Sequence, residues 1–331
     1  MEEIRVAKNH FSKIGLFFAI GTAIIFAAQL IPMKISEWLK PEWMEDPNIS
    51  MVIAMVPMYA IGMPALIFLL KKIPAAPVEK RSMKGGHFIV AAMMCFGLVY
   101  LSNIIGLAIT FIIGIFKGGQ VQNVMMNITS TVSLPFIVIQ MVILAPIYEE
   151  YIFRKLLVDR MARYGQGVAV LVSGLIFGLF HGNLNQFVYA FTLGMFLAFL
   201  YVKTGNIKIT IALHMLINFM GGVVSTLLMN AIDIEEYMRV TLSGDANALM
   251  QYYADNAVAW ALYGLFGLFV LGMLITAVVL FIVIFVKKRF KLATGEIVLP
   301  KGKKFSTVIL NVGMLVYCLF WVGYIIYQLT L

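Results

Sequence analysis

Residues 257–286 read AVAWALYGLFGLFVLGMLITAVVLFIVIFV, thirty consecutive positions without one charged side chain. A helix rises 1.5 Å per residue and a bilayer's hydrocarbon core is about 30 Å thick, so about 20 apolar residues suffice to cross it. Working outward, apolar runs of similar character recur at roughly 13–33, 51–70, 87–116, 129–153, 166–182, 185–202, 208–230 and 305–330. Across all 331 residues, 62% are hydrophobic and 12% charged, with a mean hydropathy of +0.94. Soluble domains hold about 45–50% apolar and about 25% charged residues. The composition excludes a soluble enzyme, a disordered chain and a collagen-like repeat. It predicts an all-α fold: a polytopic transmembrane helical bundle of about eight to nine spans, one membrane domain over 1–331, in the cell membrane. Cys95 and Cys318 fall inside apolar runs and imply neither a disulfide framework nor a metal knuckle. The acidic start at Glu2 and Glu3 leads into a run too long for a cleavable signal, so no removable signal peptide is expected.

The net charge of +9 is distributed by topology. The N-terminal arm and segments 71–86, 154–163, 203–208 and 287–304 hold 21 of the 25 Lys and Arg, while Lys34, Lys40, Lys117 and Arg239 are the other four. The positive-inside bias puts the N-terminus in the cytoplasm and the C-terminus outside. It also makes 231–256 an outer loop, with room for a short surface helix. The run Lys287, Lys288, Arg289 and Lys291 reads as a stop-transfer flank beside lipid headgroups. This pattern predicts the lipid bilayer as a partner and gives no nucleic-acid footprint.

Chemistry is sought where ionisable groups interrupt apolar sequence, because a charge at bilayer depth costs at least about 2.5–3.5 kcal/mol on insertion scales. Of the 16 acids only Glu149 and Glu150 lie against long apolar sequence, in Val142-Ile-Leu-Ala-Pro-Ile-Tyr-Glu-Glu-Tyr-Ile-Phe-Arg154. Glu150 and Arg154 are four apart and can pair on a helix, leaving Glu149, about 100° around, for other work. Pro146 removes a backbone donor and predicts a kink just before the acids. His214 and Asn218 are also four apart, as are Phe177 and His181; Gly174 and Gly178 lie on the latter helix at a spacing that lets a neighbour approach. Glu149 and His181 each lie 16 residues from Gly165, so a hairpin turning there brings them to one height. A cluster of Glu149, His181, His214 and Asn218 in the cytoplasmic half of the membrane is the geometric expectation. Such a set can activate water by general base chemistry, or hold a divalent metal that does so; both lead to amide hydrolysis.

The three patterns, Glu149-Glu150-x-x-x-Arg154, Phe177-x-x-x-His181 and His214-x-x-x-Asn218, together resemble the motifs of the CPBP intramembrane endopeptidase family, the CAAX-protease and bacteriocin-processing (Abi) family. The surroundings agree: Ala145-Pro146 before the acids, Phe153-Arg154, and Lys203-Thr204-Gly205-Asn206 before the seventh run. The resemblance covers a motif-bearing core of 129–222. It implies a membrane peptidase that cleaves near the C-terminus of a membrane-associated or lipidated protein or peptide. It further implies that Glu149 activates water with His181, that His214 and Asn218 stabilise the oxyanion, and that Glu150 and Arg154 support the site. Metallo- and glutamate-type mechanisms are both open; a zinc-like ion, if used, falls to Glu149, His181 and His214. The competing reading is a proton-coupled transporter with Glu149 and the histidines as an ion relay. Against it stand the lack of a repeat among the runs and of paired broken helices.

Overall fold

The structure, a computed structural model, describes residues 2–288 and 290–330; Arg289 of the basic run lies outside them. Twelve helices are named here: α1 (Glu2–Leu39), α2 (Pro47–Lys71), α3 (Gly85–Lys117), α4 (Val124–Thr131), α5 (Leu134–Tyr164), α6 (Gln166–Phe180), α7 (Leu184–Thr204), α8 (Ile207–Asn230), α9 (Ile234–Ser243), α10 (Ala246–Asp255), α11 (Ala257–Val286) and α12 (Val312–Thr330). Among the described residues there is no strand, and eight helices are long and apolar enough to cross a membrane. The chain is an integral membrane protein.

Several boundaries differ from the sequence reading for local reasons. The fifth run yields only the 15-residue α6, because Gly165 turns the chain at φ 116° and the helix stops at Phe180 before Gly182, at φ 68°. The fourth run is two elements: α4, capped by Asn123, and α5, which starts at Leu134-Pro135 and runs on through the charged residues to Tyr164. Segment 231–256 holds two short helices instead of one. Asp233 and Asp245 each accept backbone N–H groups at a helix start, and Gly244 takes the left-handed turn between them.

The basic segments meet at one end of the bundle. Asp159 ties them together: its Oδ1 accepts from Val78 N–H (3.1 Å) and the Tyr201 hydroxyl (3.0 Å), its Oδ2 pairs with Lys155 (2.8 Å), and its carbonyl accepts from Ala76 N–H (2.7 Å). Arg81 N–H bonds Thr204 O, Ile297 N–H bonds Arg163 O, and His10 reaches Arg160 O. Thus the five stretches assigned to one side by charge are joined to each other. At the opposite end Asn185 bonds Gln122 O, and Asn48 holds Ser133 N–H.

Aromatic and branched residues of α1, α5, α6 and α12 form the main core, with Phe18, Phe153, Tyr317 and Trp321 in edge and stacked contacts. α6 and α7 pack at glycines. A Cβ built at Gly178 lies 3.1 Å from the backbone of Phe191, and one at Gly194 lies 3.1 Å from Cα of Gly174. This is the close approach that small residues permit between spans. α11, by contrast, is exposed along nearly its whole length and meets α3 where Gly97 faces Ala277. We expect Gly178→Leu to force α6 from α7 and destabilise the protein by about 1–3 kcal/mol, the usual cost of overpacking. Thermal unfolding in detergent reads this as a lower Tm. Gly221→Leu is the control: its Cβ meets nothing within 4 Å, and its change should stay within about 0.5 kcal/mol.

Candidate active site

The site begins with a break in α5. The helix widens into a π-turn over Val138–Leu144, returns to α geometry over Ala145–Glu150, and widens again over Tyr151–Leu156. In the first wide turn Ala145 N–H bonds the carbonyl of Gln140, five residues back. The next residue in that register is Pro146, which has no N–H to give the carbonyl of Met141. Asn218 of α8 supplies the missing donor: its Nδ2 donates to Met141 O at 2.8 Å. The proline-linked irregularity expected before the acids is therefore a π-turn, and the carboxamide of another helix completes it.

Glu150 and Arg154 follow, both fully buried. Arg154 Nε lies 3.0 Å from Glu150 Oε2, an ion-pair contact off the hydrogen-bond axis, and Nη2 donates to Oε1 at 3.2 Å. Nη1 donates to the Ser173 hydroxyl at 2.8 Å, and that hydroxyl donates to Phe153 O at 2.8 Å. The guanidinium also lies 4.8 Å from the Phe177 ring centroid. Ser173 and Phe177 are the residues the sequence undervalued. The spacing Ser173-x-x-x-Phe177 puts both on one face of α6, the available signal, but nothing in the sequence says that Arg154 lies opposite.

Both imidazoles are held by one nitrogen. His214 Nδ1 lies 3.0 Å from Glu150 Oε1, and His181 Nδ1 lies 2.8 Å from Phe177 O. A carboxylate and a carbonyl only accept, so each Nδ1 carries the proton. The Nε2 atoms are left for other partners. That of His214 is 3.7 Å from Glu149 Oε2, too long for a direct hydrogen bond and close enough for one water to bond both. Phe177 stands between the imidazoles, 4.8 Å from the His181 ring and 5.8 Å from the His214 ring.

Glu149, His181, His214 and Asn218 all line one cavity of about 190 Å³. Glu149 keeps 15% of its side-chain surface accessible, whereas Glu150 keeps none. Glu150 is paired with Arg154 and closed off, while Glu149 lines the cavity. One expectation changes. Asn218 spends one amide hydrogen on Met141 O, so only the second is free for a bound group. The cavity wall also includes Met51, Met125 and Gln186, which belong to the end of the bundle away from the basic segments. The cavity thus extends from the cluster toward that end, a direction the hairpin count left open. Glu149, His181 and His214 do not fit a divalent ion as they stand: among the described residues no three His, Cys, Asp or Glu side chains are arranged to hold a metal.

Comparison with known proteins bears on the same region. Residues 131–220 match the Rce1-like family of type II CAAX prenyl endopeptidases. The chain is 30% identical over 102 residues to YdiL of Bacillus subtilis, which bears the name of a membrane peptidase; the match takes in 30% of this chain and 42% of that protein. It is also 30% identical over 153 residues to the membrane-embedded CAAX protease MroQ of Staphylococcus aureus, covering 44% of this chain and 60% of that one. The chain thus spans about half the length of these relatives, and no solved structure matches it. The segment similar to the Rce1-like CAAX endopeptidase family, residues 131–220, contains every one of Glu149, Glu150, Arg154, His181, His214 and Asn218.

Proposed function

We propose that the chain is an intramembrane endopeptidase that hydrolyses a peptide bond near the C-terminus of a membrane-associated or lipidated protein or peptide. The observation that carries this reading is the cavity that Glu149, His181, His214 and Asn218 share inside an apolar bundle. A water in that cavity can bond Glu149 and His214 Nε2 at once. Glu149 takes one of its protons while the oxygen attacks the scissile carbonyl, and the bare Nε2 of His181 is a second acceptor within the same cavity. The oxyanion is met by the free amide hydrogen of Asn218, while His214 Nε2 accepts the hydrogen bond of the attacking oxygen's remaining proton and keeps it oriented. Glu149 then passes its proton to the departing amine, so the products are a new carboxyl end and a new amino end, with one water consumed.

Glu150 and Arg154 do not reach the cavity and are assigned a positioning role. Arg154 keeps Glu150 ionised, and Glu150 keeps the His214 Nδ1 proton in place. This is the logic by which a buried orienting carboxylate fixes a catalytic imidazole. The basic end of the bundle is assigned to the cytoplasm by its charge.

Purified protein in liposomes with a panel of lipidated and unlipidated membrane peptides tests the reading. Glu149→Gln should lower cleavage by at least about a hundredfold, as removal of a general base does, with Tm unchanged. Cleavage at the wild-type rate by that variant refutes the assignment of the base. Arg154→Ala leaves Glu150 buried and unpaired, and should cost about 3–5 kcal/mol of stability as well as activity. Unfolding curves of the two variants separate a chemical role from a structural one. Asn218→Leu leaves Met141 O without a donor and should cost about 1–3 kcal/mol, read as a lower Tm, together with slower turnover.

A further inference from the structure

Ser173 on α6 is fully buried and has no share in the chemistry described so far, yet its hydroxyl is in use twice. Its oxygen accepts from Arg154 Nη1 at 2.8 Å, and its proton goes to Phe153 O at 2.8 Å. The second bond answers a gap in α5. In a regular helix Leu157 N–H bonds Phe153 O, four residues back. Over the widened turn Tyr151–Leu156 it bonds the carbonyls of Ile152 and Arg154 instead. Phe153 O has lost that donor, and Ser173 supplies one from the neighbouring helix. Asn218 of α8 does the same for Met141 O at the first widened turn. Glu149 and Glu150 sit on the regular turn Ala145–Glu150 between the two.

The first bond leads to the site. Arg154 Nη2 donates to Glu150 Oε1, and His214 Nδ1 lies 3.0 Å from the same oxygen. Ser173, Arg154, Glu150 and His214 therefore form one buried series, which ends at the Nε2 that lies 3.7 Å from Glu149. A hydroxyl accepts from a cation and donates to a carbonyl at once; a methyl group does neither. The single hydroxyl proton is committed to Phe153 O, and Ser173 does not line the cavity, so the residue is not placed to attack a substrate.

We propose that Ser173 is a positioning residue of the endopeptidase: by receiving Arg154 Nη1 and closing the widened turn, it fixes the guanidinium against Glu150 and so holds the His214 imidazole toward the attacking water. The proposal rests on the endopeptidase reading and adds to it a residue that touches neither substrate nor water. Without the hydroxyl, a guanidinium N–H and a backbone carbonyl are left buried and unpaired, each with its full desolvation penalty. The guanidinium then turns toward another acceptor, Glu150 moves with it, and His214 loses the oxygen that fixes its ring.

The test uses the full-length protein in liposomes, assayed well below the Tm of each variant on the best-cleaved membrane peptide. Ser173→Ala removes the hydroxyl, Ser173→Cys replaces it with a weakly bonding thiol, and Ser173→Thr keeps it. Selective isotopic labelling of histidine gives the second readout, the NMR resonance of the His214 Nδ1 proton, assigned from the spectrum of His214→Gln. The His181 Nδ1 proton, bonded to Phe177 O on α6 itself, is the internal control. Ser173→Ala and Ser173→Cys should lower kcat at least about tenfold, as misplacement of a catalytic group does, with KM unchanged. Both should shift the His214 resonance upfield and leave that of His181 in place, while Ser173→Thr keeps the rate and the resonance. If Ser173→Ala does not fold, Ser173→Cys carries the comparison. Cleavage at the wild-type kcat without the hydroxyl overturns the proposal. So does a slow variant whose His214 resonance is unmoved, which marks a purely structural role, and so does a folded Ser173→Thr protein as slow as Ser173→Ala. If wild type cleaves no peptide, the peptidase reading fails, and the positioning role is judged by NMR alone. A His214 resonance shifted in Ser173→Ala and kept in Ser173→Thr supports it, and an unmoved one overturns it.

Discussion

A salt bridge with no access to solvent governs this structure. Glu150 and Arg154 are both wholly buried in an apolar bundle, where either charge alone is untenable. The pair draws further partners from other helices. Ser173 and the Phe177 face of α6 take the guanidinium, and His214 of α8 shares carboxylate oxygen Oε1 with Arg154 Nη2. Satisfying one ion pair thus fixes three helices against each other. Glu149, one residue earlier, falls outside this arrangement and faces the cavity.

The backbone adds a second constraint of the same kind. Pro146 deprives Met141 O of its donor, and only α8 fills the gap, through Asn218. α5 and α8 are joined at two places, Glu150 to His214 and Met141 to Asn218, four residues apart on α8. The cavity lies between these ties and α6.

Much of this was legible in the sequence. Spans follow from hydropathy, and the shared end of the five basic segments follows from where Lys and Arg fall. The Glu150–Arg154 contact follows from i,i+4 geometry, and the close packing of α6 follows from Gly174 and Gly178. What the sequence could not convey depends on register between helices. Ser173 carries no signal of its own because its partner, Arg154, is 19 residues away on another span. Asn218 looked like a free donor because the orphaned carbonyl at Met141 exists only once the wide turn forms. Nothing in the basic stretch 154–163 marks Asp159 as the acid that anchors the segment after α2 and the end of α7. The hairpin count placed Glu149 and His181 level with each other but had no means of saying toward which end the cavity leads.

The shortness of α6 has a bearing on how such a place is enclosed. Fifteen residues extend about 22 Å, less than the roughly 30 Å of hydrocarbon that its neighbours traverse. The turn Gly182-Asn183 that follows it is held by protein instead: Gly182 N–H bonds Leu179 O, Asn183 Nδ2 bonds His181 O, and the rings of Trp321 and Tyr324 lie against Gly182. Irregular backbone is tolerated in a bundle where protein buries it. The truncated helix in effect trades its last turns for a recess walled by neighbouring helices, with the imidazole at its edge.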